Sequence, residues 1–152
     1  MFRFFAVALT FVCLLLGSQI SAAPTNEIVA RQIGNLQCNV DRLSIVAGLA
    51  KTQKTLKGLT ASDDATASSV QSVIDSISGA QGAIGVIGKA LFTGATAPAD
   101  ARTQVQGNLT AAAGALSAIS STDATTAAGL KQALSELAGA ATAGEGVVAN
   151  CK

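Results

Sequence analysis

The chain contains no histidine, tryptophan or tyrosine, and it has only five phenylalanines. Four of these five lie within the first eleven residues, so Phe92 is the single aromatic residue of the remaining sequence. Without histidine a Ser-His-Asp triad cannot form. Most acidic residues are scattered singly, which disfavours a carboxylate pair for glycoside cleavage. The sequence therefore predicts a protein that is not an enzyme and that holds no metal and no cofactor.

The first 22 residues have the features of a secretory signal peptide. Arg3 supplies a positive charge, an apolar run follows from Phe4 to Leu16, and small residues surround Ala22. A membrane anchor is the competing interpretation, but the apolar run is about 13 residues long and a spanning helix needs roughly 20. We place the cleavage after Ala22 and predict an extracellular protein, or one held in the cell wall, without a membrane span.

The charge balance gives little reason to expect binding to nucleic acid or to an anionic membrane. The full chain has a formal net charge of +1, and residues 23–152 carry nine basic and nine acidic side chains. A neutral chain is not drawn electrostatically to nucleic acid or to an anionic membrane. It also has little charge to oppose self-association. The expected partner is another protein or an apolar small molecule, with self-association permitted.

Cysteine usage is consistent with export. Cys13 lies in the predicted leader, which leaves Cys38 and Cys151 as one pair, too few for a zinc site without histidine. A disulfide is favoured over two free buried thiols because secreted proteins fold in an oxidising compartment. The bond would close almost the whole remaining chain, for which the chain-entropy model gives about 4–5 kcal/mol.

Residues 23–152 contain 28 alanines and 14 glycines, yet their apolar residues recur at helical spacing. This periodicity favours a folded domain over a disordered chain. Stripes of residues three and four positions apart predict four amphipathic helices. The stripes are Leu36, Val40, Leu43, Val46, Leu49 and Leu56; Val70, Val73, Ile77, Ala80, Ile84, Ile87 and Leu91; Val105, Leu109, Ala112, Leu116 and Ile119; and Ala127, Leu130, Leu134, Leu137, Ala141, Gly144, Val148 and Cys151.

Cap and turn residues separate the four stripes. Gly58 is placed to end the first helix, and Ser62 is placed to cap the second. Pro98 is expected in the first turn of the third helix. Thr122 or Asp123 is placed to cap the fourth helix. The predicted loops are therefore short.

Short loops between amphipathic helices predict an all-α, up-down-up-down four-helix bundle. In that topology the first helix begins where the fourth ends, so Cys38 and Cys151 are expected to meet and to close the bundle with one disulfide. We predict a flexible N-terminal segment over 23–33, in which Arg31 is an exposed arginine or a trimming site. A single four-helix domain is then expected over 34–152.

A run of glycines spaced by three lies within the second predicted helix: Gly79, Gly82, Gly85 and Gly88. A phosphate-binding loop is disfavoured because no strand precedes the run and no Lys-Ser/Thr pair follows it. Close packing against an alanine-rich neighbouring helix is the favoured interpretation. The alternative is a flexible or membrane-adaptive helix with a smooth face.

Three further surface features are candidates for binding or modification. Lys51, Lys54 and Lys57 complement the dipole at the end of the first helix, with contact to an acidic glycan or lipid headgroup as the alternative. Asn108 begins the sequence's N-glycosylation sequon. An apolar ligand held between helices would be lined by side chains of the second helix: Ile77, Ile84, Ile87 and Leu91.

The leader ends in Ser-Ala-Ala-Pro-Thr, and Glu-Ile-Val-Ala-Arg-Gln precedes a helical body rich in Ala, Gly, Ser and Thr. In these features the chain resembles the effector-like small secreted proteins of filamentous, wood-decaying basidiomycete fungi. That resemblance implies an extracellular, non-enzymatic protein associated with growth phase or ligninolytic regulation. The chain is also similar to fungal hydrophobic-surface-binding and cell-wall mannoprotein domains, some of which hold lipids between their helices. Both resemblances are compositional and assign no functional residue.

Three functional hypotheses remain open at this point. The first is a secreted, disulfide-closed four-helix protein that acts by interaction, as an effector or extracellular regulator. The second is a carrier or surface binder of apolar molecules, because a core of small residues leaves room between helices for an acyl chain. The third is a structural component of the cell wall.

Overall fold

The computed structural model describes residues 35–61 and 63–151, which form four α-helices. These are α1 (Leu36–Lys57), α2 (Asp64–Phe92), α3 (Ala99–Ala118) and α4 (Ala124–Asn150). No strand occurs within the described ranges. The predicted signal peptide over 1–22 and the predicted flexible segment over 23–33 lie outside the described residues.

The helices form an antiparallel bundle that consists of two close pairs. α1 packs along α4 and α2 packs along α3, whereas α1 has few contacts with α2, and α3 has few with α4. This confirms the predicted all-α, up-down-up-down bundle. One core draws residues from all four helices: Ile45, Leu49 and Leu56; Val70, Val73, Ile74, Ile77 and Ala80; Ala112 and Leu116; and Leu130, Ala133, Leu137 and Ala140.

Two aspartates fix the starts of α2 and α4. Asp63 accepts a hydrogen bond from the Thr66 backbone N–H at 2.7 Å, and Asp123 accepts one from the Thr126 N–H at 2.7 Å. Each bond satisfies an amide that has no partner within the first turn of its helix. The prediction that Ser62 caps α2 is wrong by one position, whereas the alternative cap Asp123 is confirmed for α4.

The predicted end of α1 is confirmed at Gly58, whose N–H donates to the carbonyl oxygens of Lys54 and Thr55 at 3.1 Å. Pro98 is the N-cap of α3 and not part of its first turn, because the helix begins at Ala99. Proline suits either position, since both lack an intrahelical partner for the amide.

The two halves of the bundle repeat each other at a distance of 60 residues. Asp63 and Thr66 correspond to Asp123 and Thr126, and the α1–α4 contact corresponds to the α3–α2 contact. Buried residues pair at the same offset: Thr52 with Ala112, Leu56 with Leu116, Val70 with Leu130, Val73 with Ala133, Ile77 with Leu137, and Ala80 with Ala140. The bundle is therefore two similar helical hairpins related by an approximate twofold.

The stripes predicted for α2 and α3 are confirmed. Val70, Val73, Ile77 and Ala80 of α2 are buried, and the α3 residues Ala112 and Leu116 are buried with them. The remaining members of both stripes are partly buried: Ile84, Ile87, Leu91, Val105, Leu109 and Ile119. Large apolar side chains at helical spacing correctly indicate the core side of these two helices.

The stripe predicted for α1 is wrong over the first half of the helix. Leu49 and Leu56 are buried as expected, but the other buried residues are Cys38, Asp41, Ile45 and Thr52. The predicted core residues Leu36, Val40, Leu43 and Val46 are exposed. Close approach of the helices is the cause, because a Cβ added to Gly48 would lie 2.9 Å from the Ala140 Cβ. The side of α1 that contains Gly48 therefore faces α4.

In α4, alternate members of the predicted stripe are exposed, and the residue one position earlier lies on the core side instead. Leu130 and Leu137 are buried, but Leu134, Ala141 and Val148 are exposed. Their places in the interface are taken by neighbours, chiefly Ala133 and Ala140. Alanines let the α1 and α4 backbones approach in a way that Leu134 and Val148 would prevent. Close contact with α1, as at Gly48 and Ala140, thus accompanies the side of α4 that is buried.

Candidate interaction face on α1

Four large apolar side chains of α1 point away from the core. Leu36 is 78% exposed, Leu43 is 71% exposed, and Val40 and Val46 are 45% and 47% exposed. Each residue advances about 100° around an α-helix, so Leu36, Val40 and Leu43 share the side opposite Ile45 and Leu49. These four residues are called the outer face of α1. α1 is therefore apolar on two sides, and only one of them is used by the bundle.

The repeat supplies an internal comparison for this face. Sixty residues on, Val40, Leu43 and Val46 of α1 correspond to Asp100, Thr103 and Gln106 of α3, all of them exposed. α1 and α3 occupy equivalent places in the fold, so the fold itself does not require an apolar outer side. Large exposed apolar residues that the fold does not require are expected of a binding surface.

Lysines follow the apolar residues along the same helix. Lys54 and Lys57 lie in the last turn of α1, where positive charge complements the helix dipole, as predicted. Lys51 lies with its Nζ 3.6 Å from Glu136 Oε1 of α4. The one acidic residue of α1, Asp41, is buried. The exposed surface of α1 is therefore apolar at its start and cationic at its end.

Glu136 ties α4 to the cationic end of α1. Its Oε2 accepts a hydrogen bond from Thr55 Oγ1 at 2.8 Å, and its Oε1 accepts one from Gln132 Nε2 at 2.9 Å. Burial alone would raise the pKa of Glu136, but hydrogen bonds from Gln132 and Thr55 and the charge of Lys51 outweigh it and leave the pKa below its usual value. The carboxylate is thus ionised where the two helices meet.

The start of α1 is covalently joined to the end of α4. Cys38 and Cys151 form the predicted disulfide, with 5.1 Å between their Cα atoms. The residues 60 positions from Cys38 and Cys151 in the other helix pair are Pro98 and Leu91, which flank the loop between α2 and α3. The disulfide therefore joins α1 to α4 at the place where the chain itself joins α2 to α3.

A polar network centred on the buried Asp41 lies near the ends of α1 and α4 that the disulfide joins. Asp41 accepts hydrogen bonds from Gln37 Nε2 and Asn150 Nδ2, each at 2.8 Å. Asn35 Nδ2 donates to the Asn150 carbonyl oxygen at 2.9 Å. Gly146 provides the space, because a Cβ there would lie 2.7 Å from Asp41 Oδ2. Sequence reasoning missed Asp41, although it is spaced with Cys38 and Ile45 as one side of a helix.

The residues predicted to line an apolar ligand do not share one environment. Ile77 is fully buried in the core, and Ile84 packs against that core. Ile87 and Leu91 are partly buried nearer the end of α2. A groove of about 320 Å³ lies elsewhere, between α2 and α3, lined by Ser68, Ser69, Ser72, Ala115, Ala118 and Ile119. The apolar-ligand site stays a prediction.

The glycine run of α2 serves packing at one position only. A Cβ on Gly79 would lie 2.9 Å from Asn108 Nδ2, so the two helices are close here. A Cβ added to Gly82, Gly85 or Gly88 would have no neighbouring atom within 4 Å, which contradicts the packing interpretation for these three glycines. Asn108, the predicted glycosylation residue, is half-buried against α2, and its modification stays a prediction.

The described residues thus form a disulfide-closed four-helix bundle with one apolar outer face. No protein-family model, curated protein or solved structure matches the chain. Among residues 35–61 and 63–151, no helix has the length and apolar content needed to cross a membrane. Within the same ranges, no three residues of the types His, Cys, Asp or Glu are grouped as metal ligands.

Proposed function

We propose that this protein is an exported, non-enzymatic interaction protein that binds its partner through the outer face of α1. The observation that carries this proposal is the contrast between two equivalent helices, since α1 is apolar where α3 carries Asp100, Thr103 and Gln106. A disulfide between Cys38 and Cys151 supports folding in an oxidising compartment. An effector-like or regulatory role outside the cell, as the fungal resemblance implies, is part of this proposal.

The described carboxylates support a non-enzymatic role because several of them have structural partners. Asp123 caps α4, Asp41 holds the network beside the disulfide, and Glu136 links α4 to α1. Catalytic acids and bases need to face a site where a substrate can bind. These three groups instead contact the bundle's own helices.

The outer face is tested with a matched pair of variants. Leu43→Lys places a charge in the centre of the outer face, and Val86→Lys makes the same change at a residue of α2 that is 53% exposed. Binding is measured to phosphatidylcholine vesicles with and without phosphatidylserine, to insoluble wall polysaccharide and to immobilised copies of the chain. We expect wild-type binding to one or more of these surfaces, weakened about tenfold or more by L43K and within twofold by V86K.

Melting temperatures of both variants are measured first, because an exposed substitution is expected to leave the fold intact. No binding by the wild-type protein, or equal effects of L43K and V86K, would contradict the proposal. Binding to the polysaccharide alone would favour the structural wall component over the effector.

A carrier of apolar molecules is the second candidate function. It is favoured by the few contacts between the two helix pairs and by the partial burial of Ile84, Ile87 and Leu91. Pairs that contact each other weakly can separate to admit an acyl chain. Native mass spectrometry of protein purified from its culture medium tests this, and a stoichiometric lipid or aromatic adduct is the expected result. A bare protein mass before organic extraction argues against a carrier.

A further inference from the structure

Resting on the proposed function, we propose that the partner of the outer face is a second copy of the chain, with the two α1 helices packed antiparallel. The exposed side of α1 repeats with the four-three spacing of a helix–helix seam. Its members, called the outer seam, are Leu36, Val40, Leu43, Ala47, Ala50 and Lys54. Every residue of the outer seam is exposed, and two helical sides of this spacing can interdigitate.

The spacing of the outer seam reads the same in both directions about residue 45, as a twofold contact requires. In an antiparallel pair, Leu43 lies opposite Ala47 of the second copy, and Val40 lies opposite Ala50. Leu36 lies opposite Lys54, whose aliphatic stem can cover the leucine while its ammonium reaches water. Each large side chain thus faces a small or flexible one, and the seam closes without a gap.

A parallel pair lacks this complementarity. Leu43 would face Leu43 and Ala47 would face Ala47, so that one half of the seam is crowded and the other is empty. Lys54 would also face Lys54, and like charges opposed across a helix pair repel. Antiparallel packing sends the lysines of the two copies to opposite ends. Size and charge therefore select the same direction.

The flanks of the seam agree with the antiparallel arrangement. Val46 would lie opposite Val46 of the second copy and extend the apolar contact. On the other flank, Ser44 faces Ser44, and Lys51 faces Gln37, so no two like charges meet. The contact involves one helix from each copy, so we expect it to bury less than the roughly 800 Å² per partner of stable complexes. We therefore expect a reversible dimer with a micromolar dissociation constant.

Sedimentation equilibrium on the purified chain, with Cys38–Cys151 intact, tests the inference over a concentration series. We expect a monomer–dimer equilibrium that Leu43→Lys weakens about tenfold or more and Val86→Lys changes less than twofold. Monomer at every concentration, or equal effects of L43K and V86K, would overturn it. A monomer that still loses vesicle or polysaccharide binding on L43K would overturn the dimer and leave the proposed function standing.

Cross-linking determines the direction of the contact. Variants with Leu43→Cys and Ala47→Cys are mixed and oxidised, and linked products are identified by mass. We expect the 43-to-47 heterodimer to form faster than either homodimer, because only antiparallel α1 helices bring these positions together. Preferential linkage of 43 to 43 would mean parallel packing, and equal rates for all products would mean random collision. Either result overturns the proposed arrangement.

Discussion

At the scale of single residues, small side chains control the bundle as strongly as large ones. Gly48 and Ala140 set the distance between α1 and α4, and Gly146 leaves room for the Asp41 carboxylate. Hydrophobicity indicates which residues can be buried, whereas the fit of small residues determines which of them are.

Gly48→Ala and Gly85→Ala form a matched pair that tests this dependence. The Gly48 methyl would lie 3.3 Å from the Ala140 Cα as well as close to its side chain, whereas nothing lies within 4 Å of a Cβ at Gly85. We expect Gly48→Ala to destabilise the fold by about 1–3 kcal/mol, because the helices must move apart. Gly85→Ala should stabilise it by up to about 1 kcal/mol through helix propensity. Urea denaturation measures both, and equal effects would contradict the close contact.

At the scale of helices, three of the four elements have an end that is fixed by a cap residue visible in the sequence. Asp63 and Asp123 begin α2 and α4, and Gly58 ends α1. The Thr126 hydroxyl also donates to the Thr60 carbonyl oxygen at 3.1 Å, which ties the start of α4 to the loop between α1 and α2. The cap contacts are local in sequence, whereas the Thr126–Thr60 contact joins residues 66 positions apart.

The cap of α4 predicts an acid-sensitive contribution to stability. The hydrogen bond from the Thr126 backbone N–H holds the pKa of Asp123 below its ordinary value. A carboxylate with a lowered folded-state pKa stabilises the fold above its ordinary pKa of 3.8, and this contribution is lost as pH falls through the lowered value. Glu136 acts in the same direction.

Asp123→Asn separates titration from capping, because asparagine also accepts the Thr126 N–H but does not ionise over this range. We expect the melting temperature of wild type to fall more steeply than that of D123N when the pH is lowered from 5 to 2. Asp123→Ala should melt a few degrees lower at pH 7 because the amide loses its acceptor. Parallel pH profiles for wild type and D123N would contradict the assignment.

At the scale of the whole molecule, two helix pairs are closed at the same end by different means. The chain connects α2 to α3 through a loop, and Cys38–Cys151 connects α1 to α4 across a sequence separation of 113 residues. A cross-link over so long a loop lowers the entropy of the unfolded chain. The disulfide therefore stabilises the bundle and holds the helix that carries the outer face.

Replacing both cysteines, as Cys38→Ser with Cys151→Ser, is expected to lower the free energy of unfolding by up to about 4–5 kcal/mol. Hydrogen exchange should show the loss first in the start of α1 and the end of α4, while α2 and α3 keep their protection near the loop. Denaturation and exchange of wild type against the double variant check both points. An unchanged melting temperature, or equal loss in both pairs, would contradict the role of the bond.

The sequence by itself determined the number of helices, the end of α1 at Gly58, the antiparallel topology and the Cys38–Cys151 pairing, because these depend on local spacing and chain connection. The 60-residue offset is also present in the sequence at the two helix starts, in Asp63 with Thr66 and in Asp123 with Thr126. Only the tertiary structure decided the rotation of α1 and α4. Both helices carry apolar residues on more than one side, and contacts between distant residues such as Gly48 and Ala140 accompany the side that is buried. That rotation left Leu36 and Leu43 in solvent and so created the candidate interaction face.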